Sequence, residues 1–115
     1  MAYKGSCHCG KVAYDVDGEI NQVTECNCSI CSKRAHLLWF VPRENLHLHA
    51  PETDLASYTF NTHNIRHTFC PTCGVGMFAL GTDPKGNKMA GINVRCLEGV
   101  DPKSLKIAPF DGRSL

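Results

Sequence analysis

Seven of the eight cysteines in this chain of 115 residues fall into three short clusters, and that spacing restricts the possible folds more than any hydrophobic pattern does. The clusters are Cys7-His8-Cys9, Cys26-Asn27-Cys28-Ser29-Ile30-Cys31 and Cys70-Pro71-Thr72-Cys73; Cys96 stands alone. An even count is compatible with a disulfide framework. Against it, the segment before Cys7 has no apolar signal region, and no run of 18 apolar residues occurs, so neither secretion nor a membrane span is signalled. The expected compartment is cytoplasmic, and in a reducing cytosol closely spaced thiols serve metals better than disulfides.

Two thiols at spacing two leave an extended backbone on the same face. A CPxCG turn aims backbone N–H groups at its sulfurs, with the glycine relieving the turn. Cys7, Cys9, Cys70 and Cys73 therefore make one closed tetrahedral zinc site, and joining points about sixty residues apart removes much freedom from the unfolded chain. Cys26, Cys28 and Cys31 then remain as a three-thiolate site with an open corner, the pattern of a catalytic rather than a structural zinc. Two other partitions fit the spacing: Cys96 as a fourth ligand closing the triplet, or an iron–sulfur cluster. In Gly91 to Leu97, alternation puts Ile92, Val94 and Cys96 on one strand face, where a thiol packs as a small hydrophobe rather than as a ligand.

Between the clusters the sequence reads as short strands separated by turn residues. Strands are expected over 11–16, 23–26, 36–41 (a buried one, from its nearly continuous apolar run), 46–49, 57–60, 65–69, 76–80 and 89–94. Lys33-Arg34-Ala35 reads as a polar link and 102–115 as an irregular tail. His47 and His49 alternate with leucines and suit the solvent face of a strand better than a metal. Trp39 is expected in the core. Residues 1–115 form one all-β domain of short antiparallel sheets pinned by zinc, because a core of this size is otherwise marginal. A formal net charge of +1 with scattered Lys and Arg argues against a nucleic-acid partner.

The order GSCHCGKVAY, CNCSICSKR, an aromatic strand around Trp39, RHTFCPTCGVGMF and GINVRCLEG resembles the glutathione-dependent formaldehyde-activating enzyme family, which includes the domain of centromere protein V. The resemblance covers about residues 3–101. It implies a β-tent fold with two zinc ions, a structural one on Cys7, Cys9, Cys70 and Cys73 and a catalytic one on Cys26, Cys28 and Cys31. The implied reaction is the condensation of glutathione, or a similar small thiol, with formaldehyde, classed as that of a carbon–sulfur lyase. Two positions depart from the family pattern: Asn27 stands where histidine is frequent, and Ala35 stands for a frequent glycine. The chain also reads as a short form, without the extensions of longer members.

Zinc ionises a bound thiol, so the enzyme must add positioning of the aldehyde. Asn27, as a tentative catalytic residue, and Ser29, Arg34, His36 and His67 are the candidates for that task. A non-catalytic thiol-binding or protein-interaction module is the alternative reading. Zinc hydroxide hydrolysis is disfavoured, since three thiolates leave the metal a weak Lewis acid.

Overall fold

The computed structural model describes residues 2–114. Strands outweigh helical turns among these residues and form two sheets. The smaller sheet has the order β1-β2-β5, formed by Ala2–Ser6 (β1), Ala13–Asp17 (β2) and Leu46–Leu48 (β5), all antiparallel. The larger has the order β10-β3-β4-β9-β8-β7-β6. Its strands are Val23–Cys26 (β3), Leu38–Pro42 (β4), Ala56–Tyr58 (β6), Arg66–Phe69 (β7), Phe78–Thr82 (β8), Lys88–Asn93 (β9) and Ile107–Phe110 (β10).

Several expectations change here. The tail is not irregular: β10 runs beside β3, with Ile107 opposite Val23 and Phe110 opposite Cys26, and this pair is parallel in an otherwise antiparallel sheet. Pro109 and the turn residues after it hid the strand, although an edge strand tolerates proline. The polar link is a single helical turn, Cys31–Arg34 (α1), closed by the Ala35 N–H donating to the Cys31 carbonyl at 2.8 Å. Ala2–Ser6, poor in strand formers, pairs along the whole of β2. β9 stops at Asn93, and Val94–Cys96 is a 3-10 turn in which the Asn93 side chain accepts from the Arg95 N–H, so Cys96 does not continue the strand face of Ile92.

The most consequential change concerns β4. It was expected to be buried on both faces, yet it alternates: Trp39 and Val41 are buried, whereas Phe40 is 52% exposed. Trp39 packs edge-on against Tyr3 with ring centroids 5.5 Å apart, inside a core that includes Val12, Val23, Met77, Phe78 and Ile92. Leu38 and Phe40 face the other way, so the strand is apolar on both sides because one side meets the core and the other lines a cavity. His47 and His49 lie on the exposed face of the small sheet, paired with Asp17 at 2.8 Å and Asp15 at 3.0 Å.

Candidate metal centre

The fold gathers the clustered thiols into the two sets that their spacing suggests. The sulfurs of Cys7, Cys9, Cys70 and Cys73 all lie within 4.8 Å of one another, as do those of Cys26, Cys28 and Cys31. In the first set, Cys9 Sγ is 3.6 Å from both Cys7 Sγ and Cys70 Sγ. Zinc–sulfur bonds of about 2.3 Å make a tetrahedron with edges of about 3.8 Å, so these separations suit zinc. Gly10 and Gly74 take positive φ of 83° and 80° in the two turns that present the thiols.

Electrostatics leads to the same reading. Backbone N–H groups of Val75 and Cys9 hold the Cys73 thiol down to about 6. The Lys11 N–H acts in the same direction on Cys9, yet burial and the adjoining thiols outweigh it and push Cys9 up to about 11. Four thiols this close cannot all ionise against one another without a cation among them. Cys70 is fully buried and Cys7 nearly so, with the Val12 N–H donating to Cys7 Sγ at 3.4 Å, while Cys73 is half-buried and Cys9 exposed, so this set is rooted in the core on one side and reaches the surface on the other.

The triplet differs in setting. β3 ends at Cys26, and α1 starts at Cys31, so one strand end and one helical turn hold its outer members. The Cys28 N–H donates to Cys26 Sγ at 3.4 Å. Burial pushes the Cys31 thiol up, and Cys28 and Cys26 add to that. Burial acts upward on Cys28 too, but the Cys31 N–H and the other two thiols hold it below its ordinary value. All three are partly exposed, and all three line a cavity of about 320 Å³. A larger hollow of about 640 Å³, between Arg43 and Lys88, holds no cysteine or histidine and belongs to different chemistry.

The cavity sorts the other candidates. Arg34, His36 and His67 line it; Asn27 and Ser29 do not. Burial, followed by Arg34 and His67, pushes His36 down to about 4, and burial with Arg34 lowers His67, so both imidazoles are neutral near pH 7. The His67 ring stacks on Phe60 at 5.5 Å and 22°. The Asn27 amide is engaged elsewhere: its NH2 donates to Asp111 at 3.0 Å, and its oxygen accepts from the Arg113 N–H at 2.9 Å. Cys96 stands outside both sulfur groups, 3.7 Å from the Gly76 carbonyl oxygen.

The tail is the component that sequence reasoning missed. The Asn27 N–H donates to the Phe110 carbonyl at 3.2 Å, and Phe110 lines the cavity. A Cβ on Gly112 would lie 2.7 Å from Cys26 Sγ and 3.2 Å from Cys28 Cβ. The C-terminal segment is therefore a wall of the triplet site. The one available signal was the small residue in Asp111-Gly112, which reads equally well as an ordinary turn.

Comparison with known proteins agrees with this architecture. A crystal structure of a Rhodobacter sphaeroides protein superposes with a TM-score of 0.78 at 29% identity, covering 91% of this chain and 99% of that one. The family described as glutathione-dependent formaldehyde-activating enzyme matches residues 2–109, a range that takes in both sulfur sets and nearly all of the sheet carrying them. With almost its whole length matched, this chain belongs to the glutathione-dependent formaldehyde-activating enzyme family.

Proposed function

We propose that the protein is a zinc-dependent enzyme of the carbon–sulfur lyase type that joins a small thiol, such as glutathione, to an aldehyde such as formaldehyde. The observation that carries this reading is the triplet Cys26, Cys28 and Cys31, whose sulfurs converge on the wall of an otherwise largely apolar cavity. Cys7, Cys9, Cys70 and Cys73 would hold a structural zinc and the triplet a second, reactive one, within the β-tent arrangement that the family resemblance implies. When bound at the triplet, zinc supplies the ionisation of a substrate thiol, which with a pKa of about 8.5 is otherwise only about 3% thiolate at pH 7.

In the addition, the sulfur electron pair forms a bond to the carbonyl carbon. The C=O pair moves onto oxygen, and the proton lost by the thiol ends there, giving the hydroxymethyl thioether. The chain's own residues position and polarise. His36 and His67, neutral at pH 7, each have an N–H to donate to the carbonyl oxygen as charge builds on it. Leu38, Phe40 and Phe78 keep water off the reacting atoms and strengthen those hydrogen bonds. Asn27 acts through the loop, by tying it to Asp111 and Arg113.

The test is turnover of glutathione and formaldehyde by zinc-loaded protein, followed by NMR of the hydroxymethyl product above the spontaneous rate. Product formation that Cys28→Ser abolishes supports the enzyme. Thiol binding without any rate above background replaces it with the alternative, a thiol-binding module.

A further inference from the structure

The cavity beside the triplet contains more than the addition of formaldehyde requires. Arg34 follows Cys31 by one helical turn, and its guanidinium lies against Gly76, where any Cβ would overlap it. Among the described residues it makes no side-chain hydrogen bond and no ion pair, although it is only partly exposed and burial lowers its pKa. A half-buried guanidinium with no hydrogen-bond partner among the described residues, drawn only electrostatically by the Cys31 thiol, is a receptor for one carboxylate, which it can grip with two parallel N–H donors. The neighbouring His36 and His67 are neutral near pH 7, so the cavity holds one cation. No Asp or Glu lines it, leaving an ammonium group without a counter-charge.

The remaining surface is largely apolar and continues beyond the cavity, where Thr82 and Asp83 stand at its far side. Phe40 and Ile65, 52% and 46% exposed, separate it from a second hollow of about 320 Å³, and Ala79 borders both. Small residues make the floor here: Ala79 faces Gly91 across β8 and β9, and Phe40 lies over Gly91. Large apolar side chains left in water around one opening mark a place where apolar ligand surface is covered.

We propose that the preferred thiol of this site has an apolar body and a single carboxylate, with its sulfur at the Cys26–Cys28–Cys31 triplet, its carboxylate on Arg34 and its body along the groove over Ala79 and Gly91. This rests on the functional reading above and narrows its substrate class. Glutathione, with an ammonium and a second carboxylate, fits the same place less well: the second carboxylate finds no further cation, and the one acid along the groove, Asp83, already accepts from the Lys85 and Asn87 N–H groups at 2.9 and 2.8 Å.

The experiment is isothermal titration of the zinc-loaded protein at constant pH with 2-mercapto-3-phenylpropanoate, with 2-phenylethanethiol, which lacks the carboxylate, and with glutathione. The mercaptocarboxylate should bind roughly tenfold or more tighter than either of the others, the gain expected of a charge-assisted bidentate contact. Arg34→Met should erase its advantage over 2-phenylethanethiol, while Arg34→Lys keeps part of it. Equal affinity for the three thiols, tighter binding of glutathione, or a carboxylate preference that survives in Arg34→Met overturns the proposal and leaves the thiol site standing. Absence of binding by all three, with both zinc ions retained, overturns the functional reading itself and the proposal with it. The comparison within the unmodified protein decides the matter even if Arg34 variants fold poorly.

Discussion

At the scale of single residues, Ala35 stands out because its φ of 59° puts an alanine in the left-handed region at the end of α1. An alanine there costs about 1 kcal/mol or more, which glycine avoids at some entropic expense of its own. This gives a physical reason for the glycine that the family resemblance leads one to expect. Ala35→Gly should raise the stability of the zinc-loaded protein by about 0.5–1 kcal/mol in urea denaturation; a loss would show that the turn tolerates alanine without strain. His36 carries a pH prediction. Burial, with Arg34 and His67, moves its pKa from 6.5 in the unfolded chain down to about 4. Between those values the unfolded state binds the extra proton, so this contribution to stability is whole above about 6.5 and is lost as the pH falls toward about 4. His36→Gln should accordingly lose less stability than the unmodified protein over that window. Urea midpoints at pH 7, 6, 5 and 4 check it, acid release of zinc being common to both proteins; a gap that does not change with pH would sink the assignment.

At the scale of elements, β10 and the residues after it matter most, because they convert an exposed loop into a walled site. A Cβ at position 112 would press on Cys26 and Cys28, and Asn27 fastens the tail through Asp111 and Arg113. A side chain at 112 must displace either the tail or the thiols. Gly112→Val should therefore release the zinc of the triplet while the four-cysteine site keeps its own, read as a fall from two to one zinc per chain by elemental analysis, with a melting temperature only modestly lower. Retention of both metals would mean that the tail yields freely and is no part of the site. The same cavity explains β4. Its sequence, Leu38-Trp39-Phe40-Val41, is apolar throughout, which reads as burial, but the outward face meets a cavity instead of a second layer. Hydrophobic periodicity detects an apolar neighbour without telling whether that neighbour is protein or ligand.

At the scale of the whole molecule, the four-cysteine set joins the entry to β2 with the turn between β7 and β8, bringing Cys9 and Cys70 within 3.6 Å across 61 positions. The triplet closes only a local loop. Metal binding at the first is folding free energy for the entire chain, and at the second it is not. Cys73→Ser should give a protein with a much lower melting temperature or none, whereas Cys28→Ser should melt near the unmodified protein and carry one zinc fewer; equal destabilisation would remove the distinction between the two sites. The two sulfur sets were legible in the sequence because each cluster spans a few residues, where backbone geometry alone dictates which side chains share a face. Most strands were legible for a similar reason, since alternation is local. The wall made by the tail, the cavity under Phe40 and the Arg34 guanidinium above Gly76, without an ion pair among the described residues, were not. Each depends on the path of the chain between distant segments, such as Asn27 and Asp111, 84 positions apart. Sequence by itself determined which atoms could hold metal; the tertiary structure decided what faces the open set, because an unfilled apolar face and a cation turned into it exist only after every other element has taken its partner.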